Sequence, residues 1–482
     1  MDAVSSAAGQ FGLWQARTVG VVGLIGVFGA WQMLAVSFLL PEQKFWCNDG
    51  CADNSSNCEI PQDGNLSQCT EWEFDRSVYP ETVVSQFQLV CGREWWRSAS
   101  QAIYMLGIMI GALGSGIMSD RWGRQRVTLM AGLGILVFGS SVAASPSMLV
   151  FTLLRFCTAV CSIACYTCGY VYCLELVDGR WATLVGIGLQ FPWAAGYSSL
   201  PLLAWLLPTW SHLQLAISLP ISLYCLALAA PRLVPESPRW LLVRGRNEQA
   251  KRILGQAASL NSLPSPDKII TPETESGSGS SLMDLFRTPG LRRTSLIMFY
   301  LWFTNSFVYY GLTLNSGSLI PGNLHLIFLV GGGLEAVAYI LTIIAFLYLG
   351  RRVSTSACML AGGAALLLTP VVTSTTSKAI LAQFGKFAIT GSFAMVYLYA
   401  AEVFPTAVRN AGVGSSSVWA RVGGVIAPYI GRELGMYVVI TANTSKKFSE
   451  FFPPFNSKLL KKYKLQQKRF LVDAMMLRSP KE

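Results

Sequence analysis

The sequence predicts an all-α polytopic membrane protein built from two related halves, and three observations carry that prediction. A charged turn, Gly116-Ile-Met-Ser-Asp120-Arg121-Trp-Gly123-Arg124-Gln-Arg126, lies between apolar runs at about 98 to 118 and 127 to 144. Charge so dense between two membrane-length segments marks a cytoplasmic loop. A shift of 227 residues carries Gly123-Arg124 onto Gly350-Arg351, and Tyr170-Val-Tyr172-Cys-Leu-Glu175 onto Tyr397-Leu-Tyr399-Ala-Ala-Glu402. Agreement in both spacing and residue type at one offset indicates internal duplication. Composition is the third observation: of 482 residues 52% are hydrophobic and 13% charged, with a mean hydropathy of +0.44, against about 25% charged in ordinary soluble domains.

Eleven apolar runs of roughly spanning length follow one another, at about 19 to 40, 98 to 118, 127 to 144, 147 to 173, 184 to 205, 212 to 230, 293 to 314, 322 to 349, 355 to 374, 378 to 400 and 410 to 431. At a rise of about 1.5 Å per residue each suits a crossing of the hydrocarbon layer. The first run lacks a small-residue cleavage site, so it reads as a span and not as a cleavable signal. With the amino terminus inside, the charged turns at 119 to 126, 174 to 182, 350 to 352 and 402 to 409 all fall on the cytoplasmic side. The polar stretch 41 to 97 then lies outside. This organisation divides the chain into a first bundle (1–230), a cytoplasmic linker (231–292), a second bundle (293–431) and a basic tail (432–482).

The outer stretch holds Cys47, Cys51, Cys58, Cys69 and Cys91 together with two glycosylation acceptor patterns, Asn54-Ser-Ser and Asn65-Leu-Ser. An oxidising, extracellular setting fits both features. Five cysteines allow two disulfides and one remaining thiol, the pairing being open. A zinc site is the rival reading, disfavoured because the loop has no His and no paired CxxC. Five more cysteines, Cys157, Cys161, Cys165, Cys168 and Cys173, recur at helical spacing in one span and read as small packing residues. In the linker, Arg244 to Leu260 has helical periodicity, whereas Pro264-Ser-Pro266 and Glu275-Ser-Gly-Ser-Gly-Ser-Ser281 read as flexible connection.

The net charge of +11 does not argue for a nucleic-acid partner. Residues 446 to 482 alone hold ten Lys/Arg against three Asp/Glu, and so supply +7 of it. An enzyme is disfavoured as well. His212 and His325 are the only histidines, neither belongs to a metal-ligand pattern, and no Gly-rich nucleotide loop occurs. The bilayer is the partner that the composition implies.

Asp120 stands at the carboxyl end of its predicted helix, where the macrodipole disfavours an anion, so a positive group must face it. Arg124 in the same turn, or the amino-terminal end of a helix in the other half, would serve. Asp120, Arg121 and Arg124 therefore read as a gating cluster, with Leu347 in place of the acid in the repeat. Glu175 with Arg180, and Glu402 with Arg409, are acid and base placed to pair across the next helix ends. Ionisable groups inside spans carry more weight, since they cost roughly 2.5 to 3.5 kcal/mol near a helix centre. They are Arg155 and Lys386, read as nearer the outer ends and suited to internal pairing, and Glu335 and Arg421, read as deeper and lining a substrate path. Trp302, Tyr309 and Tyr310 accompany them on one span, and Phe191, Trp193 and Tyr197 on another. Aromatics around a charged cavity hold organic ions by cation–π and stacking contacts.

Several of these segments also make the chain similar to a known family. Gly9-Gln-Phe11-Gly12-Leu-Trp14-Gln15, Phe87-Gln-Leu-Val-Cys91, the Gly116 to Arg126 turn, Pro235-Glu236-Ser-Pro238-Arg239-Trp-Leu241 and Ala401-Glu402-Val-Phe-Pro405-Thr-Ala-Val-Arg409-Asn-Ala-Gly412 resemble the organic cation/anion/carnitine transporter family of the major facilitator superfamily. The resemblance runs from about residue 9 to 430. It implies a major facilitator fold of two six-helix pseudo-repeat bundles, a glycosylated and disulfide-bonded loop after the first helix, and a multi-pass carrier of the plasma membrane. It also implies substrate contacts at Trp302, Tyr309, Tyr310, Glu335, Lys386 and Arg421. Arg at 421 resembles the anion and carnitine branches, and Glu335 the cation and carnitine branches, so a cavity of both signs favours zwitterions or amphipathic anions. The partners implied are a small organic ion and, for a secondary active carrier, a coupling ion (Na+ or H+) or a counter-substrate; a facilitative carrier needs neither. No cofactor is implied.

The carboxyl end departs from that pattern. Residues 432 to 482 contain no apolar run near about 20 residues, so the twelfth helix is expected to be missing. The basic tail is expected to impair surface delivery and transport. A transport-incompetent form acting as a receptor, or as a regulator of a full-length carrier, is the alternative reading.

Overall fold

A computed structural model describes residues 7–47, 58–62, 65–69, 71–264, 285–314, 323–348, 351–368, 372, 374–404, 408 and 412–428. Each apolar run of the sequence contains described helix, with ends within six residues of those read from hydropathy. The first is α1 (Leu13–Leu39). Then come α2 (Trp95–Trp122), α3 (Arg124–Val142), α4 (Met148–Glu175), the pair α5 (Arg180–Gly188) and α6 (Phe191–Leu206), and α7 (Trp210–Ala229). Two short linker helices, α8 (Pro238–Val243) and α9 (Asn247–Leu260), precede α10 (Pro289–Leu314), α11 (Leu324–Tyr348), α12 (Arg351–Leu368), α13 (Thr375–Val403) and α14 (412–428). Among the described residues, seven helical stretches are long and apolar enough to cross a membrane by length and composition.

The internal repeat is visible in the helix boundaries. Helices α3 and α12 begin at Arg124 and Arg351, and α4 and α13 at Met148 and Thr375, each pair 227 residues apart. Packing repeats with them: α4 lies along α3 as α13 lies along α12. Pro192 sits in the first turn of α6 and cannot supply an N–H to the preceding turn, which accounts for the break between α5 and α6. Pro201 lies inside α6 and leaves the carbonyl of Tyr197, four residues back, without its helical donor.

Helix α6 packs on α1 and across the halves on α11. A Cβ on Gly332 would stand 2.8 Å from the backbone nitrogen of Ser198, so only glycine admits this approach of α11 to α6. Without a hydrophobic force between helices in lipid, such close backbone contact and buried hydrogen bonds hold the bundle. Gln214 on α7 donates to Gln32 on α1 at 3.1 Å and to Ser218 at 3.2 Å, and Gln32 donates to Ser218 at 2.9 Å. The cysteine stripe of α4 packs inward: Cys165, Cys168 and Cys173 are buried, and the Cys165 thiol lies 3.4 Å from the Thr128 carbonyl of α3.

Four short strands, β1 (Phe45–Cys47), β2 (Glu59–Gln62), β3 (Asn65–Gln68) and β4 (Trp72–Phe74), build the loop after α1 as two antiparallel ribbons, β1 with β4 and β2 with β3. Disulfides Cys47–Cys69 and Cys58–Cys91 close it. Asn65 opens β3, while Cys51 and Asn54 lie outside the described residues. The loop is seated on the bundle by Trp210, whose indole N–H donates to Gln86 at 2.7 Å, and by Arg97, which donates to the Leu40 carbonyl at 3.0 Å.

At the opposite end the linker folds back on the amino terminus. Asn261, just past α9, accepts from the Trp14 N–H at 3.0 Å and donates to the Ala8 carbonyl at 2.7 Å and to Gln15 at 2.8 Å. This explains the Gly12-Leu-Trp14-Gln15 segment: Gln15 accepts from the Gly12 N–H at 3.1 Å and caps α1 while Asn261 holds it. The linker stretch 265–284 and the tail 429–482, on which the expectation of a missing twelfth helix falls, lie outside the described residues.

Candidate functional site

Half-way along the molecule an acid and a base meet in full burial. Glu335 lies about three turns into α11 and Lys386 about three turns into α13; they are 1% and 4% exposed, and Lys386 Nζ is 3.6 Å from Glu335 Oε1. Sequence reading placed Lys386 nearer an outer helix end; because α13 runs on to Val403, its position is mid-helix and level with Glu335. Tyr309 of α10 donates to Glu335 Oε1 at 2.9 Å, and Tyr339, one turn further along α11, also faces this carboxylate.

The other half supplies the remaining partners. Lys386 donates to the hydroxyl of Tyr197 on α6, and its ammonium lies 3.9 Å from the centroid of that ring. Trp193, one turn earlier on α6, donates its indole N–H to the Tyr309 hydroxyl at 3.1 Å. Two polar chains thus cross from the first bundle to the second, Trp193 to Tyr309 to Glu335 and Tyr197 to Lys386. A Cβ on Gly331 would come 3.1 Å from both Lys386 Nζ and the Tyr197 hydroxyl, so glycine leaves room for this junction. Rings line it further: Tyr310 edge-on to Tyr309 at 5.2 Å, Phe393 stacked on Tyr309 at 5.8 Å and Phe191 edge-on to Tyr339 at 6.0 Å.

The other residues implied as substrate contacts are placed separately. Trp302 is buried two turns before Tyr309 and packs with Met298, Phe299, Val396 and Ala400. Arg421 on α14 is half-buried and lies 3.5 Å from the Ser417 carbonyl of its own helix. One turn on, a Cβ at Gly424 would stand 3.2 Å from the ring of Tyr310. Arg421 therefore belongs to a helix seated against the aromatic side of the site. Arg155 is 3% exposed and stacks on Tyr104, 4.8 Å from the ring centroid, and on Phe151 at 5.7 Å.

A second charged cluster lies at the linker end of the first bundle. Gly123, at φ +103°, turns α2 into α3, and Arg124 is drawn to three sides. It lies 2.8 Å from Asp120 and 2.9 Å from Glu175, and donates to the Ser119 carbonyl at 2.8 Å. Glu236 caps α3 by accepting from the N–H groups of Arg124 at 2.8 Å and Gln125 at 3.1 Å, an anion at the positive end of a helix. Ser237 donates to the remaining oxygen of Glu175. Trp240 and Arg244 of the linker donate to the Asp120 carbonyl at 2.8 and 2.7 Å, which satisfies the end of α2.

The pairing of Glu175 with Arg180 expected from sequence is corrected here. The chain turns through Asp178-Gly179 after α4, so Arg180 opens α5 and lies 5.7 Å over Trp181, while Arg124 takes the carboxylate. The expected pair Glu402 and Arg409, and the side chain at Arg351, lie outside what is described. Arg121 lies in the last turn of α2, next in sequence to Asp120. Sequence reasoning named Tyr197 and Trp193 only as aromatics and gave Glu236 no capping role. Hydroxyl and indole donors spaced one turn apart in a span were the available signal for the first two.

Comparison with known proteins gives this geometry its setting. The sequence profile of the family described as "Sugar (and other) transporter" matches residues 19–444. The chain is 33% identical over 476 residues to the organic cation transporter protein of Drosophila melanogaster, covering 89% of this chain and 86% of that protein. It is 32% identical over 478 residues to solute carrier family 22 member 3 of Rattus norvegicus, covering 88% and 86%. To the organic cation/carnitine transporter 2 of Homo sapiens it is 33% identical over 380 residues, covering 76% and 67%. Among solved structures, the proton:xylose symporter XylE bound to 6-bromo-6-deoxy-D-glucose matches with a TM-score of 0.59 at 15% identity, over 89% of this chain and 90% of that one. At that identity the likeness shows the major facilitator fold alone.

Proposed function

This chain belongs to the organic cation/anion/carnitine transporters of solute carrier family 22, within the sugar and other transporter family, and from that premise we propose that it carries small zwitterionic or amphipathic anionic organic ions across the plasma membrane by alternating access. The protein is a multi-pass membrane transporter and not an enzyme. The observation that carries the finer reading is the buried Glu335–Lys386 pair, bound from both halves by tyrosines.

Removing one partner from a buried ion pair leaves an uncompensated charge, at about 3 to 5 kcal/mol. A simple cation docking on Glu335 would strand Lys386, and a simple anion on Lys386 would strand Glu335. A zwitterion replaces both interactions at once. In doing so it competes with the Trp193–Tyr309 and Tyr197–Lys386 contacts that join the halves, so binding weakens the seam that must shift during transport. An amphipathic anion is served if Arg421 supplies a further positive charge beside Tyr310, leaving Glu335 with Lys386. The Asp120–Arg124–Glu175–Glu236 cluster acts as the mechanical fastening of the first bundle, with Arg351 and Glu402 at the matching positions of the second and Arg409 following them in the sequence. Glycosylation at Asn54 and Asn65 would place the disulfide loop outside. Sodium, a proton or a counter-substrate would drive uphill uptake.

The decisive experiment is uptake into cells of a hydroxylated zwitterion, an aromatic carboxylate and a tetraalkylammonium ion, in the wild type and in Arg421→Asp at matched surface expression. The wild type is expected to prefer the first two. Arg421→Asp is expected to shift the anion-to-cation ratio more than about 10-fold, which corresponds to 1.4 kcal/mol in a poorly solvated site. An unchanged ratio overturns the role of Arg421, and absence of uptake of all three by the wild type overturns the substrate class. Neither the fold nor the relatives lend support to the receptor or regulator alternative.

A further inference from the structure

A cavity of about 850 Å³ opens on the disulfide-loop side, where the end of α1, the start of α2, the end of α6 and the start of α11 converge. None of the central residues Glu335, Lys386, Tyr309, Tyr310, Trp302 or Arg421 lines it. Its deepest polar group is Gln101 of α2, only 3% exposed, and neither the amide nitrogen nor the amide oxygen has a hydrogen-bond partner among the described residues. Ser37 Oγ of α1 and His325 Nε2 of α11 line the same cavity and are unpartnered in the same way.

A buried amide with neither donor nor acceptor used costs stability that folding alone gives no reason to accept. Here three such groups, from three helices of both halves, share one space. The wall beside them is aromatic: His325 lies 5.2 Å from the ring of Phe38 and stacks at 6.2 Å on Tyr79 of the loop. The charged rim carries both signs: Arg97 donates to the Leu40 carbonyl and meets Glu94 at 3.6 Å, and Lys44 also lines the mouth. Glu42 and Asp75 stand at the same mouth.

We propose that this cavity is a second ligand site, which takes a small organic ion bearing a cationic group and hydroxyl or carbonyl oxygens, and holds it on the way to the central pair. The cationic group lies toward Glu42 and Asp75 and the aromatic wall, and the polar substituents satisfy Gln101, Ser37 and His325. An ion with a purely hydrocarbon periphery offers nothing to the amide and gains little from it. The role as an entry site rests on the transport reading above; occupancy of the cavity does not.

The test uses the purified full chain with two probes, carnitine as a hydroxylated zwitterion and tetraethylammonium as its hydrocarbon counterpart. Equilibrium binding is measured in the wild type, in Lys386→Met to disable the central site, and in Lys386→Met with Gln101→Leu or Ser37→Ala. Carnitine is expected to retain one site in Lys386→Met and to lose at least about 10-fold in affinity on adding Gln101→Leu and about 3-fold on adding Ser37→Ala. Tetraethylammonium is expected to be indifferent to both additions.

Without ligand, Gln101→Leu is expected to raise the melting temperature, because an unsatisfied amide is replaced by a hydrocarbon of similar size; a merely structural glutamine would lower it. No carnitine binding to Lys386→Met, or binding indifferent to Gln101 and Ser37, overturns the second site. Uptake that survives Lys386→Met instead counts against the central transport site, so the two failures are distinguishable.

Discussion

Two acid–base clusters in this molecule use the same side-chain chemistry to opposite ends. The Glu335–Lys386 pair is sealed from water, has one charge of each sign, and takes the Tyr197 hydroxyl from the opposite half, whose Trp193 also holds Tyr309 on Glu335. The Arg124 cluster offers two carboxylates to one guanidinium, Glu175 and the 71% exposed Asp120, with Glu236 on the backbone N–H of the same residue, and its described contacts stay within α2, α3, α4 and the linker. The first is balanced and shared between the two halves, which is why the proposed function has a ligand with two charges take its place. The second is multiply tied within one body, so exchange of any one contact leaves the others holding. Burial and the ownership of partners, more than charge itself, separate the proposed binding site from the proposed fastening.

The comparison breaks first at Lys386. Lys386→Met leaves Glu335 buried without its cation, a penalty of about 3 to 5 kcal/mol, and uptake is expected to fall more than about 100-fold at matched surface expression. Adding Glu335→Gln to it should recover most of the lost melting temperature and none of the uptake. Recovery of transport in the double variant would show that the pair serves packing alone.

Arg124→Leu tests the other side. Glu175 loses its ion partner in a half-buried setting while the exposed Asp120 arm contributes under about 1 kcal/mol, so a loss of about 2 to 3 kcal/mol is expected, read as a fall of several degrees in thermal unfolding. Substrate affinity in the surviving folded fraction should be unchanged. A raised KM with unchanged melting would move this cluster into the transport cycle as a specific contact.

Tyr309→Phe sharpens the contrast at smaller scale. It removes the hydrogen bond to Glu335 and the acceptor for Trp193, worth about 1.5 kcal/mol together with a charged partner, and a KM change of roughly 10-fold is expected for uptake. Least of all is expected from Arg180→Ala. Arg180 touches the Trp181 ring and not Glu175, so uptake and melting should stay within about 2-fold and about 1 degree, as for other exposed cation–π contacts. A large effect there would restore the pairing that spacing alone suggested.

Much of this architecture was legible in the residues. The 227-residue offset forecast helices that begin at matched positions, and long apolar runs bounded by charge gave their order, because lipid admits only backbone that satisfies its own hydrogen bonds. Glu335 and Lys386 declared themselves as costly charges within apolar runs. Their partners did not. Tyr197 and Trp193 are 189 and 116 residues from the groups they bond, and nothing local encodes such a meeting. The same holds for Cys47 with Cys69 and Cys58 with Cys91, where five cysteines permit many pairings and only the two ribbons choose between them. Glu175 was misassigned for a related reason: proximity in sequence to Arg180 is undone by one turn.

The close seat of Gly331 and Gly332 against Tyr197 and Ser198 has a mechanical consequence. At Gly332 the backbones of the two halves come close at mid-height, and under the proposed alternating access this contact would act as a fulcrum. Two stiff bodies rocking about a fulcrum must part at one end as they close at the other, and the ends exchange roles with no separate signal passing between them. A bulkier residue at either glycine would act as a wedge, propping the halves apart at their middle.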